Sequence, residues 1–221
     1  MASDSVRHRL SFVVRFNDHF TGAPVADELP VRLDGSFQRP AAAPGGRGRR
    51  QSDGTYRFIG APGGLARILW REPFERNHAN WTRWDPDPAA TLPLPDPATP
   101  IEVDLWPTAD AATPPAATGV RGKLTGANND GRIVRIAPTG QPATRTTRSD
   151  DFGNFLFLPP GRLPLNAAGL IPLTIAVEDP GGAARIVNGG SFVPDLPGTS
   201  FLAADFTIAP GTVPRVLFRL A

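Results

Sequence analysis

Asp150-Asp-Phe-Gly-Asn-Phe-Leu-Phe-Leu-Pro-Pro-Gly161 repeats the pattern of Ser52-Asp-Gly-Thr-Tyr-Arg-Phe-Ile-Gly-Ala-Pro-Gly63. Gly54 aligns with Gly153, Tyr56 with Phe155 and Phe58 with Phe157, each pair 99 residues apart. The matched residues have a physical logic. An acidic residue beside glycine supplies the positive φ of a tight hairpin, and the alternating aromatics that follow point to one face of a strand. The Pro-Gly pair then ends the strand.

Working outward, Ala66–Pro73 matches Leu173–Pro180, and Thr99–Trp106 matches Thr212–Leu220. A period near 100 residues is too long for a solenoid repeat and marks duplicated domains. Each copy has the length of one β-sandwich, roughly 100 residues. The expected fold is all-β, with two tandem immunoglobulin- or transthyretin-like sandwiches. The expected boundaries are residues 8–107 for domain 1, 108–117 for a Pro-bearing linker and 118–221 for domain 2.

Composition agrees with strands and turns. Pro (26) and Gly (23) are spread along the chain and interrupt every helical apolar period, so helix should be scarce. Strand candidates in domain 1 are Leu10–Phe16, Pro30–Leu33, Thr55–Ile59, Ala66–Arg71 and Ile101–Leu105. In domain 2 they are Gly119–Leu124, Arg132–Ala137, Asn154–Leu158, Leu173–Val177, Phe201–Ile208 and Arg215–Leu220. Ile101-Glu-Val-Asp-Leu105 alternates cleanly, so its carboxylates should face water and its aliphatics the core.

Gly119-Val-Arg-Gly-Lys-Leu124, Arg132-Ile-Val-Arg-Ile136 and Arg148-Ser-Asp-Asp-Phe-Gly-Asn-Phe-Leu-Phe-Leu-Pro-Pro-Gly161 together resemble the carboxypeptidase regulatory-like family. Domain 1 is similar more weakly, through Thr21-Gly-Ala-Pro-Val25 and Asp53-Gly-Thr-Tyr-Arg-Phe58. The Arg39–Gln51 loop and the stretch Arg162–Pro172 depart from the pattern. The resemblance implies a transthyretin-like sandwich and carries no catalytic residues.

Charge and residue usage narrow the chemistry. The 22 Arg and single Lys123 leave a net charge of only +2. Up to residue 110 there are 13 basic against 14 acidic residues, and beyond it 10 against 7, so neither half is a basic stripe for nucleic acid. There is no Cys, hence no disulfide, thiolate metal site or cysteine nucleophile. No segment approaches the roughly 20 apolar residues that span a bilayer, and the start lacks the apolar run of a secretory signal. The expected setting is cytoplasmic, with incorporation into a released particle as an extension.

The histidines His8, His19 and His78 have no second ligand at metal spacing, Gly189-Gly-Ser191 lacks the flanking glycine of a nucleophile elbow, and Asp150-Asp151 and Asp85-Pro-Asp87 read as turn residues. No catalytic residue, cofactor or metal is expected. Pro73–Pro100 reads as an insertion between the last two strands of domain 1, and it holds Trp81, Arg83 and Trp84. These could anchor a protein interface, stack on a sugar, or fold back over the end of the sandwich. Arg47, Arg49 and Arg50 form the one basic cluster, read chiefly as a solvated loop. Together these six residues are the partner-binding candidates. The functional expectation is a non-enzymatic structural or adaptor protein that contacts other proteins or itself, such as a part of a phage-tail or contractile-injection particle. The alternative is a carbohydrate- or surface-binding module using the Trp81/Trp84 loop.

Overall fold

The computed structural model describes residues 9–34, 46–71, 78–126, 128–194 and 200–221. The described residues contain strands and turns and no helix, so the fold they form is all-β. It divides into two compact units, Met1–Leu105 and Trp106–Ala221.

In the first unit, β1 (Leu10–Asp18) lies between β4 (Thr55–Ile59) and β8 (Pro100–Pro107). Short outer strands β3 (Arg49–Arg50) and β6 (Trp81–Thr82) complete a sheet of order β3-β4-β1-β8-β6. A second sheet has the order β2-β5-β7, from β2 (Arg32–Leu33), β5 (Gly64–Leu69) and β7 (Ala89–Leu92). β1 is antiparallel to β4 and parallel to β8. The register sets Phe12 beside Phe58 and Val14 beside Tyr56. Period-two alternation sends these side chains inward, where they join Phe16, Ile68, Trp70, Val103 and Leu105 in one buried cluster. Phe12 and Phe58 stack with ring centroids 4.5 Å apart. Burying each such side chain contributes roughly 1.5–3 kcal/mol.

The second unit repeats the centre of this arrangement. β9 (Val120–Thr125) lies between β12 (Asn154–Phe157) and β18 (Arg215–Leu220), followed by β15 (Val187–Val193) and β16 (Ser200–Phe201). The facing sheet has the order β11-β10-β13-β14, with β17 also on β13. Its strands are β10 (Ile133–Pro138), β11 (Thr147–Arg148), β13 (Ile171–Glu178), β14 (Ala184–Arg185) and β17 (Asp205–Ile208). β9 is antiparallel to β12 and parallel to β18, as β1 is to β4 and β8. Phe206 of β17 meets Phe218 of β18 at 5.4 Å, and Phe155 of β12 lies 6.0 Å from Phe218, so aromatic rings join the two sheets.

The repeated turn is alike in detail. Gly54 and Gly153 have φ of 79° and 81°. Gly54 N donates to Gln51 O at 3.0 Å, and Gly153 N to Asp150 O at 3.0 Å. Gln51 N donates to Thr55 O and Asp150 N to Asn154 O, both at 2.8 Å.

Two expectations need correction. Pro73–Pro100 is not a plain insertion: its described part supplies β6 to one sheet and β7 to the other. The stretch Phe201–Ile208 is not one strand. β16 and β17 belong to different sheets, and the chain crosses between them near Ala203, at φ 70°. The stretch from 108 to 117, expected as a short and semi-stiff linker, is held by Arg121, which donates to the carbonyls of Ala109 and Ala111, and Ala111 is buried.

β15 went unforeseen because adjacent glycines, Gly189 and Gly190, interrupt its apolar alternation. They are strand glycines for steric reasons. A Cβ on Gly189 would lie 2.2 Å from Phe201 O, and one on Gly190 2.3 Å from Leu217 O.

Candidate partner-binding segment of the first unit

After β1 the chain reverses at Asp18, whose carboxylate accepts from Phe20 N at 2.9 Å and Thr21 Oγ1 at 2.9 Å. It returns beside β1, with Val25 N donating to Phe16 O at 2.8 Å. Buried Val25 and Leu29 then pin the next five residues at both ends. Leu29 N donates to the Tyr56 hydroxyl at 2.7 Å, and burial raises the pKa of that phenol above its ordinary value.

Two of the partner candidates converge on this segment from opposite edges of the sheet. Arg50 of β3 donates through Nη2 to the carbonyls of Val25 (3.1 Å) and Ala26 (2.9 Å). Trp81 of β6 donates its indole N–H to Asp27 Oδ2 at 2.5 Å, and Asn80 Nδ2 reaches the same oxygen at 3.3 Å. The rest of the indole packs against the buried cluster. Tryptophan suits this place, since one ring can seal a core and still present a polar edge. Arg47 and Arg49 are exposed nearby in sequence, with no side-chain hydrogen bond to a described residue.

Arg83 and Trp84 are placed otherwise. Arg83 donates to Pro86 O at 3.0 Å and Asp104 O at 2.9 Å, and lies 3.7 Å from the Asp85 carboxylate. It ties its own loop to β8. Trp84 is partly buried, and its Nε1 is enclosed with no hydrogen-bond partner among the described residues. The structure thus joins Arg50 and Trp81 through Val25–Asp27, and engages Arg83 elsewhere.

The remaining chemical candidates have structural partners. Asp87 forms a two-point pair with Arg71, at 2.7 and 3.2 Å. Asp150 caps its turn by accepting from Phe152 N at 2.9 Å and Asn154 N at 2.8 Å. His19 Nδ1 is 3.1 Å from Asp104 Oδ2, and His78 Nδ1 accepts from Asn80 N at 3.3 Å. Ser191 sits within β15, in register with Ser200 and Leu217, and not on a strained elbow. Among the described residues no three His, Asp or Glu side chains form a metal-holding group. His8, Phe74, Glu75, Arg76 and Asn77 lie outside the described residues.

Sequence reasoning missed Asp27 and Tyr56 as organisers of this segment. Asp27 stands 54 residues from its tryptophan, and no local pattern carries a partnership of that separation.

No protein-family model matches the chain, and no curated protein matches it. Among solved structures, it is similar to a streptococcal ancillary pilin at 14% identity and a TM-score of 0.31, over 95% of this chain and 62% of that one. It is similar to a variant of the shaft pilin SpaA of Lactobacillus rhamnosus GG at 13% identity and a TM-score of 0.30, over 97% and 99% of the two chains. The major pilin of Streptococcus pyogenes follows at 10% identity and 0.20, over 95% and 97%. The chain spans less than two thirds of the ancillary pilin's length. Similarity at this level assigns no function to the chain.

Proposed function

We propose that the protein is a non-enzymatic structural or adaptor module that joins other proteins, or further copies of itself, in a larger assembly. Each unit is read as a sandwich of the immunoglobulin or transthyretin kind. The Gly153 turn, with Phe155 and Phe157 buried after it, supports kinship of the second unit with carboxypeptidase regulatory-like domains. A phage-tail or contractile-injection particle is one assembly of the kind proposed.

The observation that carries the reading is the convergence of Arg50 and Trp81 on Val25–Asp27, with Arg47 and Arg49 left exposed beside Arg50. A segment held at both sides by Arg50 and Trp81, with two further exposed arginines close by in sequence, suits a protein contact because Arg and Trp are favoured at interfaces. Carboxylates that could have been catalytic are engaged in turns and ion pairs, which also favours a structural role. The carbohydrate reading has less support, since Trp81 packs on the core and the Trp84 indole nitrogen is enclosed.

Light scattering on the purified chain, with cross-linking in host extract, tests the proposal. Self-association or a defined partner is expected, and both should weaken in the Arg47→Glu/Arg49→Glu variant. A monomer at every concentration, with the same cross-links in wild type and variant, would overturn it.

A further inference from the structure

Each unit sets its first and last strands side by side and parallel. β1 and β8 match over six residue pairs, from Val13 with Pro100 to Asp18 with Leu105. β9 and β18 match over five, from Arg121 with Arg215 to Thr125 with Arg219. Neither terminal strand is an edge: β4 flanks β1, β6 flanks β8, β12 flanks β9 and β15 flanks β18.

Parallel pairing fixes where the chain enters and leaves. It enters a unit at the N-terminal end of the pair and leaves at the opposite end. Tension applied on both sides of a unit therefore slides the two strands along each other. The evenly spaced bonds of a parallel ladder are then stretched together. Drawing the strands apart from two adjacent ends would break the same bonds one after another. The first geometry resists far more force.

We propose that these pairs are mechanical clamps and that the protein bears tension along its chain through two clamps in series. The inference rests on the structural role proposed above. Buried side chains cover the inner face of both ladders. These are Phe12, Phe16 and Leu105 in the first unit, and Val120, Leu124 and Phe218 in the second.

Further bonds lie along the ladders and at their ends. In the first unit Arg15 and Asn17 both bind Glu102, at 3.0 and 2.8 Å, and His19 N donates to Leu105 O at 2.8 Å. In the second, Gly119 N donates to Thr212 O and Arg121 N to Pro214 O, both at 3.0 Å, and Gly211 N donates to Thr118 Oγ1 at 2.8 Å. The second clamp has fewer matched pairs and sets Arg121 against Arg215, so it should yield first.

The absence of cysteine lets introduced thiols define the pulling axis on the full chain. Handles at Ala117→Cys and Ala221→Cys load the second clamp in shear. Handles at Ala117→Cys and Val213→Cys pull at adjacent ends and peel it. In single-molecule force spectroscopy at one pulling speed, shear should need several times the peeling force and release about 350 Å of chain. Equal forces along the two axes would overturn the clamp. Matching circular-dichroism melts of the variants establish that both are folded. Should either fail to fold, Arg9→Cys with Thr108→Cys, against Arg9→Cys with Ala98→Cys, poses the same question in the first unit. A high shear force in a chain that joins no assembly would remove the tension-bearing role and keep the clamp. Equal forces remove the clamp whatever the chain binds.

Discussion

The two parallel pairs share a register but not an outer face. Tyr56 and Phe155 are repeat partners, and they lie beside Val14 and Gly122, so Arg15 corresponds to Lys123. Arg15 stands beside Glu102, whereas Lys123 stands beside Leu217. One rung on, Asn17 faces Asp104 and Thr125 faces Arg219. The first unit therefore has acids opposite its cation, with Arg15 Nη1 3.0 Å from Glu102 Oε1. The second sets Arg121 beside Arg215.

Arg121 turns its guanidinium to the Ala109 and Ala111 carbonyls. Burial lowers its pKa, Asp110 opposes that, and Arg215 adds to it. The difference teaches which face of the strand specifies the fold. Both units build the same three central strands, β4-β1-β8 and β12-β9-β18, with different electrostatics outside, because inward alternation of large apolar residues is common to both. Exposed ion pairs contribute only about 0.2–1 kcal/mol each.

The comparison breaks most readily in the cores. Phe58→Ala and Phe157→Ala, at repeat-matched positions that are both fully enclosed, should each cost about 3–5 kcal/mol in chemical denaturation. A small loss at one site alone would mean that the repeat does not extend to packing.

The paired turns sharpen it next. Alanine at φ near +80° is strained at both Gly54 and Gly153, by about 1–2 kcal/mol. Gly153→Ala should cost more, because its Cβ would lie 2.7 Å from Leu124 O, whereas at Gly54 the nearest atom is Pro24 Cβ at 3.0 Å. Equal melting-temperature shifts would contradict that reading.

The smallest effects lie on the outer faces. Glu102→Ala should cost about 0.2–1 kcal/mol, a loss that disappears in concentrated salt. Leu217→Glu, which copies the Glu102 arrangement opposite Lys123, should shift the melt upward slightly at low salt and not at high salt.

Acid should weaken both units by one route. Hydrogen bonds from Thr55 hold the Asp53 carboxyl below its ordinary pKa, and a hydrogen bond from Arg135 does the same for Glu178. A folded-state pKa below the unfolded one gives stability that is present above the unfolded value. That stability is lost as pH falls through the folded one. Asp53→Asn should flatten the low-pH limb of the stability profile, and an unchanged limb would contradict the assignment.

What was legible in the sequence follows from which signals are local. The hairpin glycine and the aromatics after it announce β4 and β12, since turn and strand adjoin. Alternation announces β8 in the same way. β7 was missed because Ala89-Ala-Thr-Leu92 has no large alternating side chains and sits among prolines. Phe201–Ile208 carries a strand-like composition, yet only the packing of Phe201 and Phe206 across the aromatic cluster shows that the chain changes sheets there. At the candidate segment, Trp81 and Arg50 stood out by residue type. Their shared support did not, because Val25–Asp27 is apolar, small and acidic and meets them only after long-range folding.

Amide hydrogen exchange on the intact chain tests most directly whether the units share one plan. The account predicts the slowest exchange in β1 and β8 of the first unit and in β9 and β18 of the second, with β3, β6 and β16 exchanging early. Rapid exchange through β9 and β18, with protection residing in the facing sheet, would contradict it.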